Sequence, residues 1–330
     1  MPQKERRKNM SDSKKHSQRA LFKAFPNTEE GLAQFLHAQL YFKYIPQYIY
    51  HMSEGTNKFL ENPLNNVKPV GAEFEEVDEL IKTLVNHTGA VGADPDTNVY
   101  HAKVLRKEDA VQFFHLKEDL VLGDLPKTIM PYEHARKILI ENPGNIAVID
   151  CVCRTLRADK GCHPRQVCIL VGNPWVDWVM DRDTHMNARK ISQAEALEIL
   201  EAAHNRGDVH AAFFKDATAG RFYHICNCCS CCCTALAAQN YLNAPMFAGS
   251  GYTARIDETS CTQCGVCVDA CNFLAVEQGV DRKITVNEDL CKGCEACVGK
   301  CPTNAISLGL LDENVLAPMN LGKLKAEKEV

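Results

Sequence analysis

The sequence predicts an α+β protein with a mostly helical N-terminal region, a cysteine-rich α/β middle domain and a C-terminal βαβ repeat domain. Three observations predict it. All 18 cysteines of the 330 residues lie between Cys151 and Cys301, so ordinary packing builds the first half and metal organises the second. ARIDETSCTQCGVC, from Ala254, aligns with KITVNEDLCKGCEAC, from Lys283, as an internal repeat in which Cys261 corresponds to Cys291. Apolar residues at helical spacing dominate the stretch before residue 90. The expected divisions are a disordered basic tail over 1–20, the helical domain over 21–130, the cysteine-rich domain over 131–250, the repeat domain over 251–310 and a C-terminal tail over 311–330.

The opening stretch is polar and rich in Lys and Arg, the composition of a disordered tail. Arg6 and Arg7 are followed by no apolar segment, which gives no export signal, and no later stretch approaches the ~20 apolar residues of a membrane helix. The expectation is a cytoplasmic protein of an oxygen-poor cell. Net charge −5 argues against a general nucleic-acid binder.

Leu32, Phe35, Leu36 and Leu40 have helical spacing, and Pro46 bends or ends that element. Tyr41, Phe42, Tyr44, Tyr48 and Tyr50 make it aromatic, and they are read as core in preference to a partner-docking or peripheral membrane face. Phe74, Val77, Leu80, Ile81 and Leu84 predict a second helix, followed by turn residues from Asn86 to Asn98 and a strand over 100–105. Helix, turn and strand also open a winged-helix module. Its reading segment, Gly89 to Asp96, is acidic and glycine-rich, so no nucleic-acid partner is expected.

The spacing C-x2-C-x2-C-x3-C occurs at Cys261, Cys264, Cys267 and Cys271, and again at Cys291, Cys294, Cys297 and Cys301. Three thiolates on one tight loop cap three irons of a cubane while the fourth comes from elsewhere, the pattern of two 4Fe–4S clusters. Zinc motifs instead pair two C-x2-C knuckles across a longer loop. The region from Tyr252 to Leu308 resembles a bacterial-type dicluster ferredoxin domain. That resemblance implies crossed ligation, with Cys261, Cys264, Cys267 and Cys301 on cluster one and Cys291, Cys294, Cys297 and Cys271 on cluster two. The apolar runs Phe273 to Val276 and Ala305 to Leu308 would keep water from the clusters. Pro302 follows Cys301 as that pattern expects, whereas Asn272 stands where the first copy would have proline.

Ten cysteines lie outside these motifs. An apolar run, Asn145 to Ile149, delivers Cys151 and Cys153; Cys162 and Cys168 follow, and Cys168 opens a strand. Arg154, Arg157, Lys160 and Arg165 surround them, either offsetting the charge of a thiolate centre or standing as solvated loop residues. Ser192 and Glu195 form a capping box for a helix over 192–205. Then Cys226, Cys228, Cys229, Cys231, Cys232 and Cys233 crowd into ICNCCSCCC, where free thiols would be an oxidation hazard and adjacent cysteines pair poorly with each other. Metal ligation is the economical explanation.

Three readings fit the ten. Eight could hold two further cubanes; all ten could hold larger or non-cubane clusters, resembling loosely the cysteine-rich subunit of heterodisulfide reductases; or four to six could bind one cluster or a zinc, leaving a redox-active thiol pair. Additional iron–sulfur clusters are the favoured expectation. The segment 131–280 also resembles the 4Fe–4S ferredoxin-type proteins of anaerobic microbes, through Asp150 to Arg154 (DCVCR), Gly161-Cys162 with Val167-Cys168, ICNCCSCCC and Ser250 to Tyr252 (SGY). What this implies is electron transfer with partner redox proteins or oxidoreductase subunits. The alternatives are an oxidoreductase that reduces a substrate such as a disulfide at the cysteine-rich centre, and a redox-sensing binding protein. His163, His210 and His224 lie near the cysteines and are read as structural before they are read as ligands. No dinucleotide fingerprint or phosphate loop is present, and catalytic residues are not assigned.

Overall fold

The computed structural model describes residues 18, 21–23, 25–54, 56–60, 72–87, 100–132, 136–157, 161–182 and 185–328. The Gly89 to Asp96 segment, Lys160 and nearly all of the basic tail lie outside them.

At the centre is one eight-stranded sheet in the order β2-β3-β4-β7-β6-β1-β8, with β5 paired to β3. Its strands are β1 (Tyr100–Leu105), β2 (Leu120–Asp124), β3 (Lys137–Asp150), β4 (Gln166–Asn173), β5 (Arg189–Ile191), β6 (Val209–Lys215), β7 (Arg221–Cys228) and β8 (Phe247–Ala248). Neighbours along it are antiparallel except β1 and β8. The overall class is α+β, and the α/β expectation for 131–250 gives way to antiparallel pairing. β1 and β2 precede residue 130, yet β1 lies between β6 and β8, so the sheet spans the expected domain boundary.

Period-2 alternation gives the sheet two buried faces. On one, Ala147, Ile149, Cys168, Leu170, Ala211 and Phe213 pack against the N-terminal helices Glu29–Lys43 and Ile45–Ser53 and the helix Trp175–Asp181. On the other, Val148, Ile169, Val171, Ala212, Phe214 and Ile225 pack beneath the helices Lys107–Phe114 and Gln193–Arg206 and the C-terminal residues Met319, Leu321 and Leu324. The register shifts between Phe213 and Phe214, where Phe213 pairs with His224 and Phe214 with Phe222, and Tyr223 lies in the same core as Ile149 and Cys168.

The first helix starts where Thr28 accepts a hydrogen bond from Gly31 N, and Pro46 occupies the first turn of the next helix, where its missing N–H costs nothing. The buried stripe differs from the expected one. Leu32 and Leu36 are exposed, while Phe35, Ala38, Tyr41, Phe42, Tyr44, Ile45 and Tyr48 face the sheet. The aromatic residues are therefore core, as expected, with Tyr50 half-buried. Phe42 stacks on Trp175 with centroids 5.7 Å apart and meets Tyr223 edge-on at 5.9 Å. Phe42→Ala should cost about 3–5 kcal/mol, read as a lower denaturant midpoint under anaerobic conditions.

The second predicted helix forms as Ala72–Glu75 and Asp78–His87, with Phe74 and Ile81 buried and Leu80 exposed. Ser192 caps the helix Gln193–Arg206 by accepting from Glu195 N at 3.1 Å.

The C-terminal module has two small sheets. β9 (Tyr252–Ile256) pairs antiparallel with β12 (Ile306–Leu310), and β10 (Val276–Gln278) with β11 (Ile284–Val286). Short helices Val266–Asp269 and Ala296–Lys300 follow the two cysteine loops and pack together, as the internal repeat predicts.

Candidate metal centres

In the C-terminal module the eight cysteines line two cavities. Cys261, Cys264, Cys267 and Cys301 surround one, closed by Ile256, Ile284 and Ile306. Cys271, Cys291, Cys294 and Cys297 surround the other, closed by Ala254, Phe273, Val276 and Leu308. The last cysteine of each motif thus crosses to the opposite loop. Backbone N–H groups point at the sulfurs, from Ala254 to Cys291 at 3.4 Å, Ala275 to Cys271 at 3.2 Å and Ala305 to Cys301 at 3.2 Å. Donors so placed stabilise thiolates and suit a cluster's negative charge. Of the apolar run after Cys271, Leu274 departs from expectation and is exposed.

The two cavities differ in their surroundings. Cys264 is exposed, whereas Cys271 and Cys294 pack against the main core of the sheet. Burial pushes the Cys297 thiol up to about 12 and raises that of Cys294 further. The cavity of Cys264 therefore faces solvent and the cavity of Cys271 and Cys294 faces the middle of the protein.

A family model described as the 4Fe-4S dicluster domain matches residues 254–308. The chain is an iron–sulfur protein. No curated protein and no solved structure matches it. The matched dicluster domain runs from within β9 through both cysteine loops into β12, so 4Fe–4S clusters are its cofactor class.

Asn272, the residue that stands in place of proline, joins the dicluster domain to the rest. It is buried, accepts from Ser230 N at 3.0 Å, donates through Nδ2 to Gly207 O at 2.9 Å, and its carbonyl accepts from Asn240 Nδ2 at 2.9 Å. Proline could make neither side-chain bond. Lys300 Nζ to Asn205 O, at 2.7 Å, and Lys107 N to Glu295 Oε2, also at 2.7 Å, reinforce the junction.

The other ten cysteines separate into six and four. The six form a closed ring of thiol contacts: Cys151 meets Cys153 and Cys168, Cys168 meets Cys226, Cys226 meets Cys228, Cys228 meets Cys233, and Cys233 returns to Cys153. Strand register makes this ring. Ile149 of β3 pairs with Cys168 of β4, Leu170 pairs with His224 of β7, and alternation then aims Cys168, Cys226 and Cys228 to one face while β3 ends just before Cys151. Hydrogen bonds from Cys151 hold Cys153 and Cys168 well below the ordinary thiol range.

The remaining four, Cys162, Cys229, Cys231 and Cys232, all have their sulfurs within 4.8 Å of one another. The carbonyl of Cys229 accepts from Cys232 N and Cys233 N, closing a turn that gathers three of them. Cys162 arrives from the loop before β4. There Gly161 is required, because a Cβ would stand 2.0 Å from Arg154 O.

Arg154 and Arg157 are 1 % and 0 % exposed, which decides against solvated loop residues; Arg165 is half-buried. Arg154 donates to Pro164 O, Asn227 O and Asp208, and Arg157 donates to Cys232 O and Thr234 Oγ1. Arg154 Nε and Arg157 Nε and Nη1 are buried with no acceptor among the described residues. A cationic pair with unspent donors beside packed sulfurs fits an anionic metal–thiolate group.

Of the histidines, His163 is exposed. His210 is buried with Nδ1 2.5 Å from Asn227 Oδ1, and burial pushes its pKa down to about 4. His224 Nε2 lies 2.8 Å from Cys226 Sγ, and burial likewise lowers that ring to about 4. Sequence reasoning missed Lys215. Its Nζ donates to Tyr48 Oη at 3.1 Å and lies over the Tyr41 ring, while the Tyr41 and Tyr223 hydroxyls meet at 2.9 Å beside the ring of six thiols. The only signal for it was a lysine closing the strand VHAAFFK, which is otherwise apolar but for His210.

Proposed function

We propose that the protein transfers single electrons through a series of iron–sulfur clusters, taking them up or releasing them at the dicluster domain. Cys261, Cys264, Cys267 and Cys301 hold cluster one at the surface, and Cys291, Cys294, Cys297 and Cys271 hold cluster two beneath it. A further cluster sits within the ring of Cys151, Cys153, Cys168, Cys226, Cys228 and Cys233. The partners are soluble redox proteins or oxidoreductase subunits that dock where Cys264 is exposed. No helix among the described residues is long and apolar enough to cross a membrane.

One observation carries the reading: Asn272, next to Cys271 in sequence, is hydrogen-bonded directly into the loop that bears Cys229 and Cys231. That bond ties the inner cavity of the dicluster domain to the cysteine-rich centre, the arrangement a relay needs. Holding the clusters close, dry and charge-compensated is what the polypeptide contributes.

The test is iron and acid-labile sulfide per chain on anaerobically purified protein, with a redox titration followed by EPR. About twelve irons or more with matching sulfide, and reduction signals beyond those of two interacting cubanes, are expected. About eight irons would confine the clusters to the dicluster domain.

A second reading has one observation in its favour. An apolar cavity runs from the aromatic helices to the ring of six, lined by Tyr41, Phe42, Ile45, Ile49, Tyr223 and His224 together with ring cysteines. Such a space would admit a small substrate reduced at that centre. Turnover of a small disulfide with reduced viologen as electron donor would favour this enzyme over the carrier.

A further inference from the structure

We infer that Cys162, Cys229, Cys231 and Cys232 bind a single tetrahedral metal ion, zinc, and that this ion fixes the loop that joins the cluster ligand Cys228, at the end of β7, to the cluster ligand Cys233. The assignment rests on the reading that the middle cysteines ligate metal, and it divides them by nuclearity.

Sulfur spacing decides between one ion and a cluster. Four thiolates around one zinc at about 2.3 Å stand about 3.8 Å from each other at the edges of a tetrahedron. In the quartet, Cys231 and Cys232 sulfurs are 3.6 Å apart, Cys232 and Cys162 are 3.5 Å apart, and Cys162 and Cys231 are 2.9 Å apart. A cubane places a separate iron under each thiolate and holds its four thiolates farther apart.

The protein contains its own standard for that comparison. Among the described residues, only this quartet brings three or more potential ligand atoms within 4.8 Å of one another. Neither cubane-spaced cavity of the dicluster domain does so, and neither does the ring of six. One molecule thus holds two wide sulfur quartets, a ring of six whose sulfurs meet only in neighbouring pairs, and one narrow quartet.

Ligand chemistry agrees. Four thiolates and no imidazole form the closed, all-cysteine set of structural zinc, with no open position for substrate. Such a centre carries excess negative charge, and Arg157, which donates to the carbonyl of Cys232 and whose Nε and Nη1 have no acceptor among the described residues, lies beside it. The loop has no helix or strand between β7 and the helix Thr234–Tyr241, so a metal pin there replaces the backbone hydrogen bonds that a regular element would supply.

The experiment uses the full chain, purified without oxygen from cells supplied with both iron and zinc. Zinc, iron and acid-labile sulfide are measured for the wild type and for the double variant Cys229→Ser/Cys232→Ser. The expected result is about one zinc per wild-type chain, lost in the variant, with iron and sulfide unchanged. Loss of iron and sulfide with zinc retained or never present, or no change in any metal, overturns the assignment. If the variant fails to fold, the zinc-edge X-ray absorption spectrum of the wild type decides. Four sulfurs at about 2.3 Å and no iron neighbour support the assignment, and nitrogen or oxygen in the shell overturns it. Failure of the relay would look different, as total iron near eight with this zinc retained.

Discussion

Cys271→Ala is expected to abolish the cluster held by Cys291, Cys294 and Cys297 while leaving the cluster of its own loop in place. The reason is geometric. Cys271 follows Cys267 by four residues, yet its sulfur lines the cavity of the second motif, with Ala275 N donating to it at 3.2 Å. The fourth site of the first cavity is taken by Cys301. The variant should lose about four irons and four sulfides, with the remaining EPR signal freed from its neighbour's magnetic coupling. Loss of the solvent-side cluster instead would refute crossed ligation. Because cluster two lies between the surface and the middle, the same variant should also slow reduction of the inner centre by a protein-sized donor.

Asn272→Pro is expected to uncouple the dicluster domain from the cysteine-rich centre, although it restores the residue the motif ordinarily carries. Proline removes the acceptor for Ser230 N and the donor to Gly207 O, both at a buried junction. A buried polar group left unpaired costs about 1–3 kcal/mol, so the two orphaned groups put the loss at several kcal/mol at most. Both cubanes should still assemble, since no ligand changes. The readout that separates this junction from general destabilisation is kinetic: rapid mixing with a reduced donor should fill the dicluster signals at the wild-type rate and the inner signal more slowly. Equal rates at both would show that Asn272 does not couple them.

Several features were legible in the sequence because local chemistry fixes them. The cysteine spacing at Cys261 to Cys271 and Cys291 to Cys301 defines a loop whose geometry hardly depends on the rest of the chain, and the repeat gives the strand and helix on either side. The Ser192 cap and the apolar strand into Cys151 are equally local. The aromatic run from Tyr41 to Tyr50 was legible as core, but its orientation was not. Leu32 and Leu36 lie outside because Tyr223 of the sheet and Trp175 of the helix packed on it offer partners for rings, a preference that periodicity within the helix does not contain.

The sequence by itself determined that this is an α+β iron–sulfur protein with a dicluster domain at its C-terminal end, because ligand type and spacing along a short loop are covalent facts. Only the tertiary structure decided how the other ten cysteines divide. Their partition into six and four depends on β3, β4 and β7 lying side by side in one register, and on Gly161 letting the Cys162 loop close over Arg154. Sulfurs that are neighbours in ICNCCSCCC go to different groups, since successive positions leaving a strand and entering a turn point in opposed directions. Contacts between residues distant in the chain set that geometry, and spacing along the chain carries no record of it.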